Sequence, residues 1–166
     1  KVAGKFTASV APILVTKPPM YAYLKLTGNS DGSDFGSLTG ITATIAAPSH
    51  HLAAGRSDVV TLTTGAKTLS WGRPAPSAAV ILTMTTAGGV VAVEFAFERN
   101  SVLVDGSRAA GCRAALPSYV NAPESYSEEG WILFDRSVHW ALHCPTAADP
   151  TPTLTPTATP TLTPTA

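Results

Sequence analysis

Apolar and polar residues along this chain alternate with a period of two far more often than with the period of a helix. The clearest run is VVAVEFAFE, Val90–Glu98, where Val91, Val93, Phe95 and Phe97 share one face and Ala92, Glu94, Ala96 and Glu98 share the other. That pattern predicts a strand with one core face and one wet or interface face. Short β-branched runs recur between clusters of Gly, Pro, Asn and Asp. They predict strands at Phe6–Val10, Ile13–Val15, Tyr21–Leu26, Ile41–Ala46, Asp58–Thr63, Thr68–Trp71, Ala79–Thr85, Val90–Glu98, Val102–Val104, Trp131–Phe134 and Val138–His143. Turns fall at Gly28–Ser33, Pro48–Gly55, Gly72–Pro76, Ala87–Gly89 and Arg99–Asn100. The stretch Arg108–Gly130 carries few strand signals and reads as a long loop with at most a helical turn. Many short strands with regular turn signals predict an all-β fold, an antiparallel β-sandwich of immunoglobulin-like type spanning residues 1–144.

Ser77–Val93 holds no charge and invites comparison with a membrane span. It is seventeen residues long, short of the roughly 20 that a helix needs. Gly88-Gly89 divides it into two β-branched runs, so it reads as a hairpin. The N-terminus, KVAGKFTASV, alternates as well: Val2, Phe6, Ala8 and Val10 lie on one face, Lys1, Lys5, Thr7 and Ser9 on the other. Pro12 and Pro18-Pro19 follow as a stiff connector. A terminal strand of this kind either pairs within its own sheet or leaves the domain to complete the sheet of a neighbour. The pattern of residues fits both, so 1–15 is a possible donated strand.

Charged residues make up 13% of the chain and formal net charge is zero. An average globular protein carries about 25%. No basic cluster offers a footprint for nucleic acid or for a membrane surface. A charge-poor surface favours self-association, and so a structural protein over a freely diffusing enzyme. The chain begins at Lys1 rather than methionine, which fits either a cleaved signal peptide or a trimmed sequence. Its two cysteines, Cys112 and Cys144, predict one disulfide in an oxidising compartment. No Cys-x-x-Cys spacing points to zinc or thioredoxin-like chemistry.

From Pro145 onward the chain is a Thr/Pro-rich tail that ends in four copies of Thr-Pro-Thr-X, Thr151–Ala166. Proline at every fourth position excludes helix and central strand and favours extended, polyproline II geometry. Such a tail is a linker, a sugar-bearing stalk or a segment docked on a neighbouring copy. No Asn-x-Ser/Thr acceptor occurs in the chain, so any sugar would be O-linked. The acceptors are Thr151, Thr153, Thr155, Thr157, Thr159, Thr161, Thr163 and Thr165, with hydroxylated Pro152, Pro156, Pro160 and Pro164 as alternative attachment points. The tract resembles the Thr-Pro tails of secreted bacterial surface proteins and of glycosylated extracellular fibres.

Catalytic constellations are weak. His139 and His143, four apart on a predicted strand, would lie about 13 Å from each other, and His50-His51 occupies a turn. The loop GNSDGSDFGS, Gly28–Ser37, offers Asn29, Asp31 and Ser33 as alternating oxygen donors, but Asp34 and Gly40 stand where a calcium loop needs Gly and Glu. A polar turn fits better. Glu94 and Glu98 fall about 13 Å apart on one strand face, beyond the spacing a glycosidase uses. Glu124, Glu128 and Glu129 belong to a solvated acidic loop. Trp71, Trp131 and Trp140 are core or edge residues, or a platform for carbohydrate.

The expected function is that of a non-enzymatic structural subunit of an extracellular filament or surface layer, without cofactor or membrane span and with copies of itself as partners. The amphipathic leader and sandwich together resemble pilus-like subunits. That resemblance implies head-to-tail polymerisation through the strand carrying Val2, Phe6, Ala8 and Val10. The alternative is a secreted carbohydrate- or protein-binding accessory module on a Thr-Pro stalk.

Overall fold

A computed structural model describes residues 4–118 and 123–146. The chain is rich in strands: β1 (Ile13–Val15), β2 (Phe35–Gly40), β3 (Thr42–Ile45), β4 (Val59–Thr61), β5 (Lys67–Gly72), β6 (Ala79–Thr86), β7 (Gly89–Phe97) and β8 (Arg113–Ala115). Among the described residues two α-helices accompany them, α1 (Pro18–Tyr23) and α2 (Glu128–His143). The sheet runs β1-β8-β7-β6-β3-β4, and β5 pairs with β2 and touches β7. β1 and β8 are parallel and the other pairs antiparallel. The sheet is therefore mixed, where an antiparallel one was expected. Residues 35–45 pair with β5 through β2 and with β4 and β6 through β3, so the sheet bends back across this one segment.

β7 is the centre of the fold. It forms a hairpin with β6 across Ala87-Gly88, where Gly89 takes the positive φ of 97° that glycine tolerates best. Strict alternation predicts Val91, Val93, Phe95 and Phe97 on one face. Instead, Val91, Val93 and Ala96 lie in one core and Ala92, Phe95 and Phe97 in another. The reason is a pair of bulges. Leu82 and Thr83 face Glu94 and Ala92, leaving Val93 extra on β7; Val80 and Leu82 face Phe95 and Glu94, leaving Ile81 extra on β6. An extra residue reverses the side-chain parity beyond it. Both faces of β7 are thus covered, and Glu94 turns inward instead of toward solvent.

The first core joins both parts of the bent sheet: Leu69 and Trp71 of β5 meet Ala43, Ile45, Val60, Ile81 and Val91, with Leu133, Trp140 and Ala141 of α2 above. The second packs α1 and the following loop, through Tyr21, Leu24 and Leu26, against Phe95 and Phe97. Each fully buried phenylalanine contributes roughly 1.5–3 kcal/mol. Tyr21 stands edge-on to Phe95 at 5.3 Å, and burial raises the pKa of its phenol.

Two expected strands and the first half of a third are helical. α2 replaces the two strands at Trp131–Phe134 and Val138–His143. Ser127 caps it by accepting the Gly130 amide at 3.0 Å and also donates to the Thr61 carbonyl. Glu128 and Glu129 stand in its first turn and His143 in its last, which suits the helix dipole. Its buried positions, Gly130, Leu133, Ser137, Trp140 and Ala141, follow helical spacing. α1 replaces the first half of the strand at Tyr21–Leu26. Pro18 and Pro19 open it, because the first helical positions need no amide donor and proline presets their φ. The proline pair starts a helix instead of carrying the chain out of the domain. Residues 102–104 form no strand: Val102 makes an isolated bridge to Arg108, and the Leu103 and Val104 amides donate to the Ser107 and Lys25 carbonyls.

Two strands appear where none was expected. β2 follows the polar turn, and β8 lies within the stretch read as a loop. All three residues of β8 are buried.

Candidate functional site

β1 lies at the end of the sheet and, among the described residues, pairs only with β8. Beside it runs a groove of about 510 Å³ lined by Phe6, Pro12–Lys17 and Met20. An open strand edge next to an apolar groove can accept an added strand: backbone pairing supplies affinity and side-chain pockets supply register.

The segment leading into β1 is not the strand expected at Phe6–Val10. Residues 4–8 form turns, and the Ser9 amide donates to the Phe6 carbonyl at 3.1 Å. Gly4 takes a φ of 77°, which interrupts an extended run. Phe6 is 48% and Val10 72% exposed, and Ala8 is exposed as well. Val2 lies outside the described residues. Phe6, Ala8 and Val10 therefore do not pack on a core of their own domain.

What holds the segment is Arg113 of β8, only 1% exposed. Its Nη2 donates to the carbonyls of Ser9 at 2.6 Å and Phe6 at 3.4 Å; its Nη1 donates to those of Cys112 at 2.9 Å and Ala11 at 3.2 Å. Among the described residues no carboxylate pairs with it. Carbonyl dipoles take that place, and burial draws its pKa below the ordinary guanidinium value. Gly111 completes the anchor. A Cβ there would lie 2.4 Å from the Val10 carbonyl oxygen, so the segment can lie flat only over glycine. Sequence reading missed Arg113, although an arginine between a cysteine and two alanines is an unusual charge in an apolar stretch.

Cys112 and Cys144 form the expected disulfide, with Cα atoms 5.4 Å apart, and it ties the end of α2 to the start of β8. The eight tail threonines, Thr151 to Thr165, lie outside the described residues. In the polar loop, Asp34 Oδ2 accepts the Ser30 amide at 2.9 Å and so serves the turn itself. The tryptophans do not form a strip. Trp71 and Trp140 are buried, while Trp131 is 48% exposed and packs edge-on against Tyr126 and Phe134. His139 and His143 come together instead of lying a strand apart: on α2 their ring centres are 4.3 Å from each other.

Glu94 also differs from expectation. It is 1% exposed, and its Oε1 lies 2.7 Å from Ser137 Oγ. That hydroxyl is also 3.1 Å from the Leu133 carbonyl, which can only accept. A serine has one proton. If it goes to Leu133, the remaining bond must be donated by Glu94, which fits a protonated acid. Burial raises the Glu94 pKa to about 8, and the Ser137 contact partly offsets this. Beside the carboxyl is a cavity of about 10 Å³ lined by Leu62, Leu116, Tyr126, Leu133 and Phe134 among others. This is at the lower limit for one water, and it leaves no room for a substrate.

No protein-family model, no curated protein and no solved structure matches this chain. Among the described residues no helix is long and apolar enough to cross a membrane.

Proposed function

We propose that the chain is a structural, non-enzymatic subunit of an extracellular assembly that grows when the N-terminal segment of one copy adds to the β1 edge of the next. The observation that carries this reading is the open edge and its apolar groove, with the exposed Phe6 in its lining and Val10 exposed on the same segment. Arg113 fixes the root of the segment at Ser9 and Ala11. The weaker contact at Phe6, 3.4 Å, is the one to release. About eight residues, roughly 26 Å when extended, can then reach a neighbour. The contact is head-to-tail and does not close, so the product is a fibre. The disulfide fits an oxidising compartment; secretion and a cell-surface location are part of the proposal.

For the architecture we propose two packed layers of immunoglobulin-like kind, β2 with β5 and β4-β3-β6-β7. The residues of both that share the first core support this.

β1 is an integral strand, so the test must leave Ile13–Val15 in place. Phe6→Asp and Val10→Asp keep the backbone carbonyls that Arg113 needs. Negative-stain images and sedimentation of the wild-type chain should reveal filaments, and the double variant should remain monomeric. Wild-type protein that stays monomeric when concentrated, or a variant that polymerises equally well, would overturn strand addition. The accessory binding module would then be preferred, with the exposed Trp131 as the place to look for carbohydrate.

For the tail we propose O-linked sugar on several of the threonines from Thr151 to Thr165. Peptides of natural material that cover Thr151 to Thr165 should exceed the mass of the bare sequence by whole sugar increments, and bare masses throughout would exclude it.

A further inference from the structure

The four histidines of the chain are His50, His51, His139 and His143, and all gather around the last turns of α2. His139 and His143 are one turn apart on one helix face, their rings inclined at 33°. The short 3₁₀ turn His51–Ala53 packs against the same helix. Together His51, Arg136, His139, Trp140, His143 and Pro145 line an open pocket of about 450 Å³.

The protonation pattern suits a cation. His143 Nδ1 lies 2.8 Å from the His139 carbonyl oxygen. A carbonyl only accepts, so this nitrogen carries the proton, and in the neutral ring Nε2 keeps its lone pair for a ligand. A second bond of this kind, from the ring to a backbone carbonyl, is what metal-bound histidines ordinarily have. His50 is committed elsewhere: its Nδ1 accepts the Leu52 amide at 3.2 Å, and burial lowers its pKa.

We infer that His139 and His143 form a two-histidine site for a divalent transition ion, Cu²⁺, Ni²⁺ or Zn²⁺, with His51 on the wall of the same pocket. Imidazole suits these ions and not Mg²⁺ or Ca²⁺. Among the described residues no three His, Cys, Asp or Glu side chains gather closely enough to enclose an ion. Water therefore completes the shell, and Cu²⁺ binds most tightly of the three. Arg136 is a permanent cation on the rim, and it opposes the ion.

The test is a Zn²⁺ titration of untagged full-length chain at about pH 7.5 and low salt, followed through the ring C–H signals of the four histidines. His139 and His143 should shift together and saturate, with His50 unmoved. His139→Ala or His143→Ala should each weaken binding about tenfold or more, and the double variant should abolish it. These side chains are exposed, so the variants should fold, which far-UV circular dichroism checks. Arg136→Ala should tighten Zn²⁺ binding about two- to fivefold, whereas a pocket built for anions would lose affinity for inorganic phosphate. The inference is overturned if the double variant binds Zn²⁺ like wild type. It is also overturned if millimolar Zn²⁺ moves neither ring, or if phosphate alone moves them and Arg136→Ala removes that response.

Discussion

Glu94→Gln is expected to remove most of the alkaline loss of stability in this protein. The carboxyl of Glu94 has a pKa near 4.5 in an unfolded chain and about 8 in the fold, because burial disfavours its charged form. Between these values the folded state holds one proton that the unfolded state has released. Stability is therefore fully present below about pH 4.5 and is lost as pH rises through 8. A difference of 3.5 units, 8 minus 4.5, corresponds to a loss on the order of 5 kcal/mol at about 1.4 kcal/mol per unit. Glutamine is nearly isosteric, does not titrate, and its amide can donate to Ser137 Oγ while Ser137 donates to Leu133. Urea midpoints of wild type should fall between pH 5 and 8, and those of Glu94→Gln should change far less. The variant should be the more stable of the two at pH 8. Parallel pH profiles for both proteins would refute a neutral, buried Glu94.

The strand content of the chain was legible because its longest runs are β-branched and bounded by turn residues. β1, β3, β4, β5, β6 and β7 fall where alternation put them. Alternation alone does not reveal bulges, so the inward turn of Glu94 was hidden: parity counted from Val91 assigns it to the outer face. β8 was illegible for another reason. Arg-Ala-Ala has no β-branched residue, and its place in the sheet comes from long-range pairing with β1 and β7, the kind of tertiary context that overrides local preference. α2 was legible but misread. Ser127 with Glu128 and Glu129 is an N-terminal helix signal, and Gly130, Leu133, Ser137, Trp140 and Ala141 keep helical spacing. The β-branched Ile132 and Val138 obscured both. That single error also separated His139 from His143 by a strand's length and concealed their pairing. The anchor at Arg113 had no local signature beyond a charge in an apolar stretch, since its carbonyl partners are those of Phe6, Ser9, Ala11 and Cys112 itself.

Removal of the Cys112–Cys144 bridge is expected to cost about 3–4 kcal/mol, the chain-entropy value for a closed loop of 32 residues. The loss should be uneven along α2. The N-terminal end of the helix is held independently. Ser127 caps it, Glu129 Oε2 accepts the Thr61 amide at 2.8 Å, and Gly130 lies so close to the Leu62 carbonyl that a Cβ would come within 2.2 Å of that oxygen. The C-terminal end depends on the bridge, because Cys144 is the helix cap and has a φ of 28°, unusual for a residue other than glycine. Without the bond, that cap has little reason to hold its conformation. In Cys112→Ala/Cys144→Ala protein, amide exchange should accelerate over residues 138–143 and much less over 128–133, and the urea midpoint should fall. Because the double alanine variant also leaves space around the fully buried Cys112 site, wild type reduced under native conditions is the cleaner comparison. Alkylation should find no free thiol before reduction and two afterwards. A midpoint unchanged by verified reduction would mean that packing of Leu133, Trp140 and Ala141 secures α2 without the bridge, and uniform acceleration would mean that the helix opens as one unit rather than from its C-terminal end.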